Sequence, residues 1–459
     1  MIGRQACFFV TGQVFVLLVF IFSSEALCQD PPGISAATYA RRRAAVLEMM
    51  PDSSVAIFHA AASKTRLNDV EYEYRQENNL FYLTGLRDPN TALILVRGGV
   101  EIDGQASQEI IFVPEKTPSW ARLEGRMVTA EEAGTIAGLA TVKSYAEFRE
   151  TVMRVLSGKK TAFYAYPVEF LHDRLTGKRY FISDQARESL REEYPALEVK
   201  SPNRFLMKLR QIKSEEEVVL LQKAIDITCE AHLEAMRRAT PGMYEYQLEA
   251  VIEYVFKHLG AESPAFPSIV GSGPNSTVLH HWKNRRQTAD GDLVVVDIGA
   301  EYSGYAADVT RTIPVNGRFS PEQRKIYEIV LRAQNAALSA VKPGVPFGEI
   351  HRVARKIIED AGYGAYFKHG TSHYLGLDTH DAGDHGPLQP GMVITVEPGI
   401  YIRQGALLDH AYWNIGVRIE DDVLVTDDGH QLLSEKAPRE MAAIEQLMRQ
   451  EGKWTISID

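Results

Sequence analysis

Hydrophobic and polar positions divide the chain into an apolar leader and two regions with different patterns. In residues 34–202 a basic helix at Tyr39–Met50 precedes strand-like runs, namely SSVAIFHAA, NLFYLTG, TALILVRGG, QEIIFVP and TAFYAYP. From residue 203 onward, amphipathic helices alternate with β-hairpin patterns. The pattern predicts an α/β (α+β) protein with two domains, at 34–202 and 203–459, and the Ser201-Pro202 step marks the boundary.

The leader has the form of a secretory signal peptide at residues 1–28. Arg4 precedes the apolar stretch CFFVTGQVFVLLVFIF at 7–22, and small residues follow it. This stretch is shorter than the roughly 20 residues that a membrane-spanning helix needs. We therefore expect cleavage, no stable membrane span afterwards, and a secreted or periplasmic protein. The alternative is an uncleaved leader that anchors the protein to a membrane.

The clearest helix signal comes soon after Pro202. Ser214 and Glu217 form a capping box at the start of the helix, and Pro241-Gly242 stop it. Cys229 lies within this helix and is predicted to be a buried thiol. The other two cysteines lie in the leader or at its edge, so a disulfide framework is not expected.

Composition and charge narrow the function only slightly. The chain is 45% hydrophobic and 24% charged, which is ordinary for a soluble globular protein. Its formal charge of −10 argues against a nucleic-acid partner, because such proteins usually carry a basic domain or patch.

Two aspartates stand around one predicted hairpin in GDLVVVDIGAEYSGYAADVTRTIPV. Asp297 ends a run of β-branched residues, and Asp308 follows a turn that contains Gly299 and Gly304. A hairpin would bring the two carboxylates back to one point. Buried carboxylates are costly unless they are paired or bind a metal. Taken alone, the two could also be ordinary turn residues at strand ends.

Two further strand ends in the second domain carry acidic residues. Glu397 ends the β-branched run of GMVITVEPGIYI, and Pro398-Gly399 turn the chain immediately afterwards. In IGVRIEDDVLV, Arg418 and Glu420 share one face by the two-residue strand period. A buried Arg418 could orient neighbouring carboxylates, and its alternative role is a surface salt bridge.

Four histidines lie close together in KHGTSHYLGLDTHDAGDHGPL, at 369, 373, 380 and 385. Such density indicates a site, although not all four can be ligands. With the four carboxylates, one imidazole gives an oxygen-rich set that suits hard or borderline divalent ions, Mn²⁺ foremost. Four carboxylates at one point repel one another unless about two dications are present, so the pattern predicts a dinuclear centre. The alternative is a set of independent salt bridges.

These motifs resemble a known family. VVVDIGAEYSGYAADVTRT, HGTSH, TVEPGIY and GVRIEDD are similar to the M24 metallopeptidases, which have the "pita-bread" fold. Among these, the chain looks most like the Xaa-Pro aminopeptidases (aminopeptidase P), because DVEYEYRQENNLFYLTGL at 69–86 resembles their N-terminal domain. The resemblance implies an N-terminal α/β domain followed by a C-terminal pita-bread domain.

The resemblance also implies a role for each candidate residue. Asp297 would bind one metal, His373 and Glu397 the other, and Asp308 and Glu420 would bridge them. His280 would lie beside the substrate, with His281 the less favoured neighbour, and His369 and His380 would be further active-site histidines. His385 has no counterpart. The predicted catalytic residues are His280, His369 and His380 from the resemblance, together with Arg418 and with Glu397, whose carboxylate could act as general base as well as metal ligand.

The implied activity is hydrolysis of the bond between an N-terminal residue and a following proline, by a water that bridges two divalent ions. Its substrates would be peptides with proline at the second position, and the protein would be a homodimer or homotetramer. Tyr302, Tyr374 and Trp413 are candidates to shape the proline cleft, although aromatics of this kind are often core residues. Two alternatives stay open: an Xaa-Pro dipeptidase (prolidase) and a non-catalytic pita-bread domain that binds peptides or proteins.

Overall fold

The computed structural model describes residues 33–115, 128–165, 170–172 and 175–454. The predicted signal peptide at 1–28 lies outside these residues. Among the described residues, no helix is both long and apolar enough to cross a membrane.

The N-terminal region is built on a mixed sheet. Its strands are β1 (Ser54–His59), β2 (Thr65–Leu67), β3 (Val70–Glu71), β4 (Ala92–Ile102), β5 (Gln105–Val113), β6 (Val142–Ser144), β7 (Thr161–Ala165), β8 (Phe170–His172), β9 (Arg179–Phe181) and β10 (Glu198–Lys200). Six of them form the main sheet in the order β10-β7-β1-β4-β5-β6, whereas β2 pairs with β3 and β8 with β9. The central strand β1 pairs antiparallel with β4 and parallel with β7. Helices pack against this sheet and cover its buried aliphatic strands. The helices are α1 (Ala36–Met49), α2 (Asn78–Thr84), α3 (Ala130–Ala137), α4 (Phe148–Leu156) and α5 (Ile182–Glu193).

One predicted strand is wrong. The run NLFYLTG forms helix α2, not a strand. The Glu77 side chain caps its N-terminus by accepting a hydrogen bond from the Leu80 amide, and Gly85 ends it with a left-handed φ of 72°. A short run that is apolar all round does not distinguish a buried strand from a buried helix, so the two caps decide the outcome.

The predicted long helix is confirmed as α7 (Glu215–Arg238), which follows the shorter α6 (Asn203–Arg210). The capping box of Ser214 and Glu217 is present in both directions. Cys229 is free and buried in this helix, as predicted.

The C-terminal region surrounds the candidate site with short antiparallel sheets. The strands are β11 (Ser263–Pro264), β12 (Ile269–Ser272), β13 (Leu293–Ile298), β14 (Ala300–Tyr302), β15 (Tyr305–Ala306), β16 (Val309–Pro314), β17 (Val393–Val396), β18 (Gly399–Ile402), β19 (Ile415–Arg418), β20 (Asp421–Val425) and β21 (His430–Leu432). They form three-stranded sheets of the orders β11-β14-β15, β12-β13-β16 and β17-β20-β21, and β18 pairs with β19. The helices are α8 (Glu245–His258), α9 (Pro321–Ala340), α10 (Phe347–Asp360) and α11 (Met441–Leu447).

The two regions share a hydrophobic core. One buried cluster joins Phe58 and Leu83 of the N-terminal region to Leu221, Tyr305 and Leu375 of the C-terminal region. Gly33–Asp459 accordingly form one compact unit. The domain boundary near Pro202 therefore stays a prediction from the sequence.

Candidate metal centre

Asp297 and Asp308 are brought together by the predicted hairpin. Asp297 lies in β13 opposite Thr310 of β16, and Asp308 immediately precedes β16. Gly299 makes this turn possible, since a Cβ there would lie 1.8 Å from the Ala307 carbonyl oxygen. The strand pairing thus delivers both carboxylates to one end of the sheet.

The two glutamates reach the same point from neighbouring sheets. Glu397 follows β17, and its amide donates to the Thr371 carbonyl at 2.8 Å. Glu420 lies between β19 and β20, and its amide donates to the Thr310 carbonyl at 3.1 Å. The Thr310 hydroxyl also donates to Glu420 Oε2 at 2.6 Å, which fixes the carboxylate.

His373 completes the cluster. One ligand atom each from Asp308, His373 and Glu420 lies within 4.8 Å of the others. His373 Nδ1 lies 3.0 Å from the Tyr374 carbonyl oxygen, which leaves Nε2 directed at the site. Nε2 is 3.5 Å from Asp308 Oδ2 and 3.7 Å from Glu397 Oε1. A backbone carbonyl on the far ring nitrogen is the usual way in which proteins orient a metal-binding histidine.

Arg418 is buried beside these carboxylates, not on the surface. Its guanidinium forms an ion pair with Asp297, and Nη1 donates to the Tyr401 hydroxyl at 2.9 Å. Its Nε donates to the Thr310 hydroxyl at 3.2 Å. Arg418 thus fixes one candidate ligand directly and a second through Thr310.

Of the two neighbouring histidines, His280 lines the cavity and His281 does not. The His281 ring lies 3.0 Å from the buried carboxylate of Glu245. Glu245 also accepts hydrogen bonds from Ser272 and Asn275, so this carboxylate organises the local backbone. Of the two residues, His280 is therefore the one that faces the cavity.

The remaining predicted histidines separate into two groups. His369 Nε2 lies 2.8 Å from the Tyr401 hydroxyl, and Nδ1 lies 3.4 Å from Glu397 Oε2. The ring of His380 lies 4.1 Å from that of His373 and also lines the cavity. His385 instead packs edge-on against Phe347, outside the cavity lining. The structure therefore gathers three of the four clustered histidines at one site.

The three aromatic candidates for the proline cleft do not line this cavity. The Tyr374 hydroxyl donates to the Asp384 carbonyl, and Trp413 Nε1 donates to the Ala406 carbonyl at 3.1 Å. Tyr302 packs against the hydrophobic core. All three hold neighbouring backbone or core in place.

The candidate residues line a cavity of about 330 Å³. A second cavity of about 460 Å³ shares Leu279 with it and is lined in part by Lys368, Tyr401 and Arg403. The lining of the first consists of Leu279, His280, Asp297, Asp308, His369, Gly370, Ser372, His373, His380, Glu397, Arg418 and Glu420.

The electrostatics of the centre fit divalent cations. Burial, followed by repulsion from neighbouring carboxylates, raises the pKa of Asp308 and of Glu420 well above the ordinary value. Burial also raises the pKa of Glu397 to about 7, against the lowering influence of His373 and Arg418. Two buried oxygens, Asp297 Oδ1 and Asp308 Oδ1, have no hydrogen-bond partner. Unpaired buried oxygens and an excess of negative charge are the features that bound dications would resolve.

Three polar residues around the centre were not predicted. Tyr401 links His369 to Arg418, and Thr310 links Arg418 to Glu420. Asp422 accepts a hydrogen bond from the Asp308 amide at 3.1 Å and is fully buried. Of the three, only Asp422 gave a signal in the sequence, as an acidic residue within an apolar strand.

Comparison with known proteins places these residues in a family context. The model of metallopeptidase family M24 matches residues 219–427, and the model of the aminopeptidase P N-terminal domain matches residues 39–164. An Xaa-Pro aminopeptidase of Escherichia coli is 34% identical over 90% of this chain and 98% of its own. One from Haemophilus influenzae is 35% identical, over 89% of this chain and 96% of its own.

Solved structures agree with the sequence relatives. Proline aminopeptidase P II from Yersinia pestis superposes with a TM-score of 0.80 at 35% identity, covering 91% of this chain and all of that one. A zinc-substituted E. coli aminopeptidase P bound to product superposes with the same score at 34% identity, covering 91% of this chain and 98% of that one. The expected fold, with an aminopeptidase P-type N-terminal domain and a pita-bread domain, is confirmed.

Proposed function

This chain belongs to the Xaa-Pro aminopeptidase (aminopeptidase P) group of metallopeptidase family M24, and we propose that it removes an N-terminal residue that precedes proline. The observation that carries the proposal is the meeting of four carboxylates and His373 in one cavity with three further histidines. Such a site provides metal ligands, a base and hydrogen-bond donors within reach of one peptide bond.

Two divalent ions, most favourably Mn²⁺, are the proposed cofactors. Asp297 would hold one ion, His373 and Glu397 the other, and Asp308 and Glu420 would bridge the pair. When bound, such ions lower the pKa of a water molecule and polarise the scissile carbonyl. The oxygen-rich donor set supports Mn²⁺ over softer metals, and activity measured after reconstitution with Mn²⁺, Zn²⁺, Co²⁺ or Fe²⁺ tests that preference.

Glu397 is the proposed general base. Its carboxylate faces the cavity between His369 and His373, at 3.4 Å and 3.7 Å from their ring nitrogens. A carboxylate in hydrogen-bond reach of the attacking water takes its proton and can pass it to the leaving nitrogen. The proline nitrogen must gain this proton because it leaves as an amine, so the proton that Glu397 takes from the water is the one that the leaving group needs.

The histidines around the cavity are proposed to act as hydrogen-bond donors, with His369 and His380 in the neutral form. Burial, followed by the nearby rings of His373 and His280, lowers the pKa of His380. Burial lowers the pKa of His369 to about 4. The neutral imidazole of His380 and the ring of His280 would donate to the carbonyl oxygen or the substrate backbone as negative charge develops there.

Peptides longer than two residues are the proposed substrates. The second cavity, next to Leu279, supports this preference, because it offers space beyond the catalytic cavity for residues after proline. Proline has no backbone N–H, and its ring fixes φ. A site that cleaves the bond before proline must therefore bind the substrate without a hydrogen bond from that nitrogen and must polarise the carbonyl by other groups.

A matched pair of substrates tests the proposal against the dipeptidase alternative. The metal-loaded enzyme should release arginine from Arg-Pro-Pro faster than it cleaves Gly-Pro. Cleavage of Gly-Pro alone would refute the aminopeptidase assignment in favour of a prolidase. Failure to cleave either peptide, together with metal content near zero after dialysis against Mn²⁺, would indicate a non-catalytic binding domain.

We also propose that the protein is exported. The charged start, apolar stretch and small residues within 1–28 support cleavage of this segment. N-terminal sequencing of protein recovered from the medium or the periplasm tests the proposal. An intact N-terminus on protein that sediments with membranes would instead support an anchor.

A homodimer or homotetramer is the proposed assembly. Family resemblance supports it, as do the exposed side chains of Leu67, Val70 and Tyr72 in and beside the β2–β3 hairpin. Light scattering coupled to size-exclusion chromatography gives the mass directly, and a monomer at micromolar concentration would contradict the proposal.

A further inference from the structure

The loop that carries His380 leaves the sheet soon after His373. Up to Leu375 the chain is held by β17, since the Leu375 amide donates to the Val393 carbonyl and the Thr395 amide to the His373 carbonyl. Beyond Gly376 the chain leaves β17. No described residue forms a hydrogen bond with the His380 ring, so its position depends on the backbone of its own loop.

A buried ion cluster holds this loop from outside the catalytic sheets. Asp381, next to His380, accepts from Arg210 at 2.5 Å through Oδ1 and from Lys213 at 3.0 Å through Oδ2. Arg210 also reaches Asp378 Oδ2 at 2.8 Å. The side chains of Asp381 and Lys213 are 2% and 1% exposed, so solvent does not weaken the pair.

The cations belong to one short segment, residues 210–213, which starts at the last residue of α6 and ends just before α7, and which we call the junction segment. Besides Arg210 and Lys213, the segment contributes Gln211, whose side chain accepts from the Asp384 amide at 3.0 Å. The junction segment therefore contacts the His380 loop on both sides of His380, at Asp378 before it and at Asp381 and Asp384 after it.

Residues of the N-terminal region add further hydrogen bonds to Arg210 and to the start of the His380 loop. Asn79 accepts from Arg210 Nη1 at 2.9 Å and so orients the guanidinium. Arg75 and Asn78 both donate to the Leu377 carbonyl, at 2.6 Å and 3.3 Å, just ahead of the loop. Arg210 uses one terminal nitrogen for Asn79 and the other for Asp378 and Asp381, whereas a lysine would offer a single nitrogen.

We propose that Arg210 is a positioning residue for catalysis, which holds Asp381 and thereby places His380 opposite His373. The proposal rests on the proposed function, in which His380 donates a hydrogen bond to the substrate. It also gives the N-terminal region a part in the reaction: its Asn79 and Arg75 support the junction segment and the loop. His373 has its own anchors on β17, so loss of Arg210 should spare metal binding.

Arg210→Met, studied in the wild type and in a His380→Ala background, tests the proposal. Residues that orient a metal ligand by a hydrogen bond typically contribute about 10- to 100-fold in activity, and we expect the same range for a residue that positions His380. We expect Arg210→Met to lower kcat on Arg-Pro-Pro by about 10- to 100-fold in the wild type and by less than about twofold in the His380→Ala background, with unchanged metal content. Arg210→Lys, which keeps the charge but not the fork, should lose less.

Arg42→Met is the matched control. Arg42 is buried to a similar degree and pairs with Glu217 at 3.0 Å next to the junction segment, yet it does not contact the His380 loop. The Arg42→Met substitution should lower the melting temperature and leave kcat of the folded enzyme near the wild-type value. If Arg210→Met does not fold, Arg210→Lys in the same two backgrounds carries the comparison.

Two results would overturn the proposal. Equal losses in both backgrounds would show that Arg210 only stabilises the fold, and full activity of the variant would show that the loop needs no such support. A wild-type enzyme that cleaves no Xaa-Pro peptide would refute the proposed function itself, so the two failures are distinguishable.

Discussion

Thr310 connects two charged groups of the centre through one hydroxyl. It donates to Glu420 Oε2 at 2.6 Å and accepts from Arg418 Nε at 3.2 Å, and it is fully buried. Thr310→Val retains the shape and removes the hydroxyl. We expect this change to weaken metal binding and turnover, because a candidate bridging carboxylate loses its orientation and Arg418 keeps an unpaired N–H.

The size of the effect follows from the two hydrogen bonds. A hydrogen bond to a charged group contributes about 1.5–3 kcal/mol. The two bonds share one oxygen and are not additive, so we expect about that amount for the pair. At about 1.4 kcal/mol per factor of ten, the loss corresponds to about a 10- to 150-fold change in metal affinity or in kcat/KM.

Thr310→Ser is the matched control, since it keeps the hydroxyl and removes only a methyl group. Metal affinity is measured by competition with a chelator, and kcat/KM is measured on Arg-Pro-Pro. The serine variant should stay within a few-fold of the wild type. If Thr310→Val behaves like Thr310→Ser in both assays, the hydroxyl does not orient Glu420 and the reasoning is refuted.

Three further predictions concern other parts of the site. His280→Ala should lower kcat by about 10²- to 10³-fold, whereas His281→Ala should mainly lower the melting temperature; equal kinetic losses would contradict the assignment. Gly299→Ala should cost about 1–3 kcal/mol in urea unfolding, because the added Cβ would meet the Ala307 carbonyl oxygen; an unchanged midpoint would contradict it. In the metal-free protein the pKa of Glu397 is raised from 4.5 to about 7, so the folded state retains a proton that the unfolded state releases. Its stability should therefore fall as pH rises from about 4.5 to 7, and stabilisation by Mn²⁺ should grow over that interval; a metal-free melting temperature that rises there would contradict this.

The carboxylates of the centre could be predicted because strand ends are visible in a sequence. Asp297 and Glu397 each end a β-branched run, and glycine-rich or proline-glycine turns follow them. Strand pairing then makes Asp308 return to the same edge. These features are local, and a period of two with a turn is sufficient to find them.

The surrounding contacts could not be predicted, because they depend on packing between distant segments. Nothing near Tyr401 in the sequence indicates that its hydroxyl lies between His369 and Arg418. The choice of His280 over His281 depends on Glu245, 36 positions away from His281. In Asn78–Thr84 the run of apolar residues is continuous, so it shows neither the helical nor the strand period. The strand prediction for this segment was therefore wrong.

The charge of the cavity supports the proposal of two ions over one. Among the described residues that line it, four are carboxylates, and Arg418 is the single permanently charged cation. With all four ionised, the charges of these five side chains sum to −3, and the buried carboxylate of Asp422 accepts a hydrogen bond from the Asp308 amide. One dication would leave the sum at −1, and a second raises it to +1, which favours an anionic nucleophile in the cavity. Without ions, Asp308, Glu397 and Glu420 stay buried by retaining protons, in accord with the raised pKa of each of these three groups. Metal capture and proton release are therefore two aspects of one equilibrium at this centre.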